Sequence, residues 1–290
     1  MLDRDRAQRN FLFCEEFASD RNSYFDAELN EAVSSYALAR RELHGYCNLA
    51  SAATTFAVSD PNLREGVTAS VSGSRARQRL MVCGMSLALF DVADVGLDLI
   101  ARTINDRRST LLLAESNTPL SAALSKAVDP LLLTLSEFFS DEYRSGQLVK
   151  GIRNEDLRAT SFADDSLDWV LTSDVFEHIP DPEAAEREVV RILKPGGIYC
   201  FTVPLHPRSD TDIVLARPRP DGTTEYLAPP TYHGDPLRPE GVLVYRVFSV
   251  PAMSRRFAQL GATCRTYRLW SKYYGLLGPG CFVHVVKKHA

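Results

Sequence analysis

The sequence predicts an α/β fold, a mostly parallel sheet with helices on both faces, and three observations point to it. From about Thr110 onward, short apolar runs alternate with helix-like segments, the pattern of strands in a parallel sheet covered on both sides. Between two of those runs, Pro182 to Leu193 has a proline near its start, acids in its first turns, Lys194 at its end and Pro195-Gly196-Gly197 as a stop, which delimits a helix. The first hundred residues lack the alternation and read as a helical and irregular appendage.

Taken in order, Phe25, Leu29, Ala32, Val33, Tyr36 and Ala39 recur every three or four residues, predicting one amphipathic helix from Arg21 to about Leu43. Cys47 to Gly73 is rich in Ala, Ser and Thr without a strong period. A second helical stretch opens near Ser74 and runs through Leu87 toward Ile104. Strands are expected at Leu111 to Leu113, Leu131 to Leu135, around Leu148-Val149, at Leu167 to Leu171 and at Ile198 to Val203, with a helix from Leu120 to Lys126. Pro204 to Tyr245 carries eight prolines, too long and irregular for a connection unless it covers a site. A helix at Val250 to Leu260 and strands at Thr263 to Trp270 and Phe282 to Val286 close the chain. The division expected is an appendage over residues 1–105 and an α/β domain over 106–290, with a lid or substrate-facing insertion at about 204–246.

With 290 residues, 45% hydrophobic and 24% charged, the composition is that of an ordinary globule. No stretch of about 18 apolar residues is free of charge, so no membrane span is expected. Met1 to Arg6 alternates charges, unlike a signal peptide, and a cytoplasmic location is expected. A net charge of -4 without a basic stripe disfavours a nucleic-acid partner. The six cysteines (Cys14, Cys47, Cys83, Cys200, Cys264, Cys281) form no C-x-x-C pair and read as reduced thiols.

Ligands of an open parallel sheet bind beyond the carboxyl ends of its strands. Here those ends carry Glu115-Ser116-Asn117, Glu137-Phe138, Glu155-Asp156-Leu157 and Ser173-Asp174 through Glu177-His178. Such an acidic rim repels phosphates but accepts hydrogen bonds from ribose hydroxyls, an adenine amino group and an ammonium.

The run from Asn154 to Pro204 resembles class I S-adenosylmethionine-dependent methyltransferases, type 11-like. The likeness rests on Asp156 several residues before Phe162, a Ser-Leu-Asp entry to a strand, a Glu-His-Ile-Pro exit and Arg-Ile-Leu-Lys-Pro-Gly-Gly before the next. It implies a Rossmann-like fold with a seven-stranded sheet and S-adenosylmethionine as cofactor. It further implies Glu137 on the ribose hydroxyls beside Phe138, Asp156 and Leu157 at the adenine, Ser173 and Asp174 under the cofactor, and Glu115, Ser116 and Asn117 toward its methionine end. Asp168 reads as a structural acid at a strand entry. His178, with Tyr232 and His233 in the lid, are the candidates to handle an acceptor's proton.

The chain departs from that family twice. No glycine stands in the turn Ala114 to Pro119, where the family's glycines allow close approach of the cofactor. Tyr46 to Ala52 and Arg64 to Arg79 resemble a zinc-ribbon module reduced to Cys47, with Ala50, Ala69 and Ser72 in place of the other sulfurs, so no zinc is expected. The expected activity is transfer of a methyl group to O or N of a small metabolite, with sugar-containing or other specialised products among the candidates. A non-methylating enzyme such as a cyclase, and a non-catalytic partner subunit, stay open as alternatives. Any homo-oligomer is expected through the N-terminal helices.

Overall fold

The computed structural model describes residues 13–16, 27–206, 209–235, 238–278 and 280–290. The chain begins with β1 (Phe13–Glu16), α1 (Ala27–Arg40), β2 (Glu42–Cys47), β3 (Ala52–Val58), α2 (Leu63–Gly66), β4 (Val67–Ala69), α3 (Ala76–Phe90) and α4 (Leu97–Asp106). Then follow β5 (Leu111–Leu113), α5 (Pro119–Ala127), β6 (Leu133–Glu137), β7 (Leu148–Val149), β8 (Ile152–Asn154), β9 (Leu167–Ser173), a 3-10 turn (Phe176–His178), α6 (Pro182–Ile192) and β10 (Leu193–Thr202). The remainder is β11 (Ile213–Val214), β12 (Ala216–Pro218), β13 (Thr224–Tyr226), β14 (Tyr232–Asp235), β15 (Arg238–Leu243), β16 (Arg246–Val247), α7 (Val250–Gln259), β17 (Ala262–Trp270) and β18 (Phe282–Lys288).

The main sheet runs β1-β17-β18-β10-β9-β5-β6-β8-β7. Its centre, β10 to β8, is parallel, while β18, β17, β1 and β7 pair antiparallel. Nine strands replace the seven expected, because the short β1 and β7 extend the two edges. From β5 the chain moves outward through β6 and β8, then returns to the other side of β5 as β9 and β10. The strand order therefore reverses between β5 and β9, which places the ligand crevice at their carboxyl ends.

The period-2 alternation of strands sends side chains to both faces. Leu111 and Leu113 join one core with Trp169, Leu171 and Cys200, and that core also contains Phe56, Leu80, Met85 and Ile100. Leu112, Val170, Tyr199 and Phe201 face the other core, against α6 and α7 through Val189, Met253 and Phe257. Helix α3 thus covers the sheet, and it does so at Gly84: a Cβ there would lie 2.4 Å from Cys200 Sγ and 2.6 Å from Val283 Cγ2. Only glycine permits that approach.

Several expectations are corrected. Cys47 to Gly73 holds β3 and β4, which join β2 in a three-stranded antiparallel sheet; the inward positions Thr54, Phe56 and Val58 of β3 alternate with exposed Ala53 and Ala57, and Ala on the outer face hides the period. The helical stretch from Ser74 to Ile104 is two helices, divided at Asp91, which adopts φ 58° and ends α3. Leu131 is 83% exposed and precedes β6. The first helix spans Ala27–Arg40, while Arg21 to Asp26 and Met1 to Arg6 lie outside the described residues. The insertion after Pro204 contains three two-stranded antiparallel ribbons, β11-β16, β12-β13 and β14-β15. Helix α6 spans Pro182–Ile192, with Asp181 accepting from the Ala184 amide, and the chain passes straight into β10 at Leu193, so Pro195-Gly196-Gly197 lies within that strand rather than as a stop. Among the described residues no helix is long and apolar enough to cross a membrane.

Candidate functional site

A cavity of about 370 Å³ opens beyond β5, β6, β8 and β9. Of the residues expected at the cofactor, Glu137, Phe138, Asp156, Leu157 and Asp174 line it, as does His178 of the expected acceptor site. Val242, Leu243 and Tyr245 close the cavity from the lid. The lid is fastened on two sides. Arg238 donates to the carbonyls of Phe138 and Phe139 beyond β6, and the Tyr245 amide donates to the Glu177 carbonyl at 2.7 Å.

Glu137, at the end of β6, accepts from the Ser116 amide at 2.7 Å and the Ser116 hydroxyl at 2.8 Å. Both bonds end on Oε1, which leaves Oε2 for a hydroxyl donor. Burial raises the Glu137 pKa, a shift opposed by these Ser116 bonds. Asp156 accepts from the Arg158 amide at 2.9 Å and is gripped by the Arg158 guanidinium, so it shapes a turn while its side chain borders the cavity beside buried Leu157. Glu155, 2% exposed, is held by Arg153 and Ser161 and anchors that turn.

The glycine-free loop forms without left-handed backbone: none of Glu115, Ser116, Asn117 or Thr118 has positive φ. Thr118 caps α5, accepting from the Ser121 amide at 3.1 Å. Asn117 is exposed, and Glu115 turns inward to accept from Thr118 Oγ1 at 2.7 Å. Burial pushes the Glu115 carboxyl up to about 7. Neither these loop residues nor buried Ser173 lines the cavity.

Asp174 ends β9 with φ 55°. It receives two hydrogen bonds from Arg64, both at 2.6 Å, and one from Thr202 at 2.9 Å, with Arg77 3.7 Å away. Burial opposes the Asp174 charge, but the two guanidiniums outweigh it and hold the carboxyl well below the usual range. Sequence reasoning missed Arg64 and Arg77, because no local pattern links α2 to a strand end 110 residues away, or α3 to that same strand end. Neither guanidinium lines the cavity; both are turned to Asp174 and Glu65.

Glu177 was also missed. It is fully buried in the 3-10 turn, and neither of its carboxylate oxygens meets a hydrogen-bond partner in good geometry. His233 Nδ1 stands 3.3 Å from Glu177 Oε1 and His178 Nε2 3.8 Å from it. The two imidazole rings meet edge to face at 5.0 Å. His233 lies behind His178 rather than on the cavity wall, and Tyr232 is 51% exposed on the lid. Asp168 is structural, accepting from Thr110 and Lys194. Cys47 Sγ lies 3.3 Å from Ser72 Oγ and 3.6 Å from Ser74 Oγ, one thiol among hydroxyls, a donor set that does not suit zinc.

A family model described as a methyltransferase domain matches residues 128–201. The ubiquinone biosynthesis O-methyltransferase of Neisseria meningitidis is 28% identical over 175 residues, covering 57% of this chain and 67% of that protein. The 2-methyl-6-phytyl-1,4-hydroquinone methyltransferase 2 of Oryza sativa is 32% identical over 87 residues, 28% of this chain and 25% of that protein. The chain thus spans two thirds of the first relative and a quarter of the second. An S-adenosylmethionine dependent methyltransferase from Mesorhizobium loti, solved at 13% identity, aligns with a TM-score of 0.40 over 62% of this chain and 91% of its own. Residues 128–201 thus match a methyltransferase domain, and the class they resemble is that of the S-adenosylmethionine-dependent methyltransferases. S-adenosylmethionine is the cofactor of that class.

Proposed function

We propose that the protein transfers a methyl group from S-adenosylmethionine to an oxygen or nitrogen of a small metabolite bound under the lid. The observation that supports this most is the placement of Glu137, Asp156 and Asp174 around one cavity at the reversal of strand order, with His178 and the lid on its other side. The donor set fits the cofactor: Glu137 Oε2 for ribose hydroxyls, and Asp156 and Leu157 for the adenine edge and face.

The cofactor supplies a methyl group already activated by its sulfonium. The protein's part is alignment and exclusion of water. Phe138 and Leu157 give the cavity apolar walls, the Arg238 clamp holds the lid against β6, and His178 faces the acceptor side. Of the three side chains expected to meet the acceptor's proton, His178 is the one on the cavity wall. An enclosure of this size suits a small acceptor rather than a polymer.

The test is a thermal melt with S-adenosylhomocysteine and, separately, NAD at equal concentration. A ligand at about 100 times its dissociation constant stabilises by roughly 2.7 kcal/mol, so S-adenosylhomocysteine should raise Tm and NAD should not. No shift with either would favour a non-catalytic subunit.

A further inference from the structure

We propose that Glu177, His178 and His233 form a divalent-cation site on the acceptor side of the cavity, and that the cation selects a hydroxylated acceptor; the second part rests on the methyltransferase reading above. The three side chains each offer one ligand atom, and those atoms lie within 4.8 Å of one another. An ion of the zinc or cobalt class binds such ligands at about 2.0–2.2 Å, which requires ligand atoms roughly 3–4 Å apart. Glu177 Oε1 is already 3.3 Å from His233 Nδ1 and 3.8 Å from His178 Nε2.

The surroundings prepare these atoms for an ion. His178 Nδ1 is 2.8 Å from the Leu243 carbonyl. Donation to that carbonyl fixes the proton on Nδ1 and leaves the Nε2 lone pair turned toward Glu177, as the outer partner of a metal-bound imidazole does. Glu177 is a fully buried carboxylate with both oxygens outside hydrogen-bond geometry, and an uncompensated buried charge is costly. A cation between it and the two imidazoles would satisfy it. The Tyr245 amide bonded to the Glu177 carbonyl and the pairing of His233 with Val242 tie the lid to the same cluster.

Two nitrogens and one carboxylate oxygen suit Mn, Fe, Co or Zn rather than Ca. Three protein ligands leave positions open, and His178, one of the three, also lines the cavity. An acceptor hydroxyl is the group such an ion would take: bound oxygen loses its proton to solvent more readily, then its lone pair forms the O–CH3 bond as the methyl–sulfur bond breaks and its electrons return to sulfur. The products are a methyl ether, S-adenosylhomocysteine and one proton, with no change of oxidation state.

The experiment is titration of chelator-treated full-length protein with Co2+, followed by visible d–d absorption, with S-adenosylhomocysteine affinity measured in parallel. One Co2+ per chain is expected in wild type and in the control His289→Asn. Loss of at least tenfold in Co2+ affinity is expected in Glu177→Gln and in His233→Asn, with S-adenosylhomocysteine affinity near wild type. His233 is on a lid ribbon, so its variant keeps the test valid if the buried Glu177→Gln fails to fold. Wild type that takes up no stoichiometric Co2+, or a folded His233→Asn that binds it equally well, would overturn the site. Failure of S-adenosylhomocysteine to bind would instead strike the methyltransferase reading and leave the metal result standing.

Discussion

Arg64 and Asp174 are 110 residues apart in the chain and share two hydrogen bonds of 2.6 Å. The pair joins the N-terminal region to the crevice where the sheet changes direction. Removing one partner of a buried pair leaves an uncompensated charge, which costs about 3–5 kcal/mol. Arg64→Ala should therefore lower Tm markedly, and chemical denaturation with Arg64→Lys should fall between it and wild type.

The same carboxyl sets an acid limb. Asp174 ionises in the folded protein well below its ordinary value, so it contributes stability at neutral pH that is lost as pH drops below about 4. Denaturation curves collected from pH 7 down to pH 3 should show wild type losing stability more steeply than Asp174→Asn. Parallel curves would show that Asp174 carries no such linkage.

Glu115 acts with the opposite sign. With its folded pKa raised to about 7 by burial, the folded protein holds a proton that the unfolded chain has released, and stability falls as pH rises from about 4.3 to 7. Glu115→Gln keeps an acceptor for Thr118 without the charge. It should raise Tm at pH 8 and change it little at pH 5; equal effects at both would refute the buried, protonated state.

Asp168 should separate from the cofactor site. It accepts from the Thr110 amide and hydroxyl at 2.8 Å and from Lys194 at 2.6 Å, so Asp168→Ala strips acceptors from three donors at the sheet's entry. A loss of about 1–3 kcal/mol is expected in urea unfolding, with S-adenosylhomocysteine affinity unchanged. Loss of affinity in a folded variant would place Asp168 in the site.

The sheet was legible because Leu111 to Leu113, Trp169 to Leu171 and Ile198 to Phe201 are buried apolar runs, the mark of strands covered on both faces. The small sheet β2-β3-β4 was not, since its outer face is Ala and Thr and its inner face is covered by elements distant in sequence. Glu137, Asp156 and His178 could be placed because each follows directly on a recognisable strand or strand exit. Arg64, Arg77 and Glu177 could not. The first two meet Asp174 from elements far away in the chain, and Glu177 stood beside His178 as an ordinary acid until its burial and its two facing imidazoles set it apart.

The central claim is that the cavity beyond β5, β6, β8 and β9 holds S-adenosylmethionine through Glu137. Isothermal titration of S-adenosylhomocysteine into wild type and Glu137→Ala tests it most directly. One site per chain is expected in wild type, and the variant should bind at least tenfold more weakly, since a hydrogen bond to a charged acceptor is worth about 1.5–3 kcal/mol. Absence of binding to wild type, or equal affinity in a folded Glu137→Ala, would contradict it.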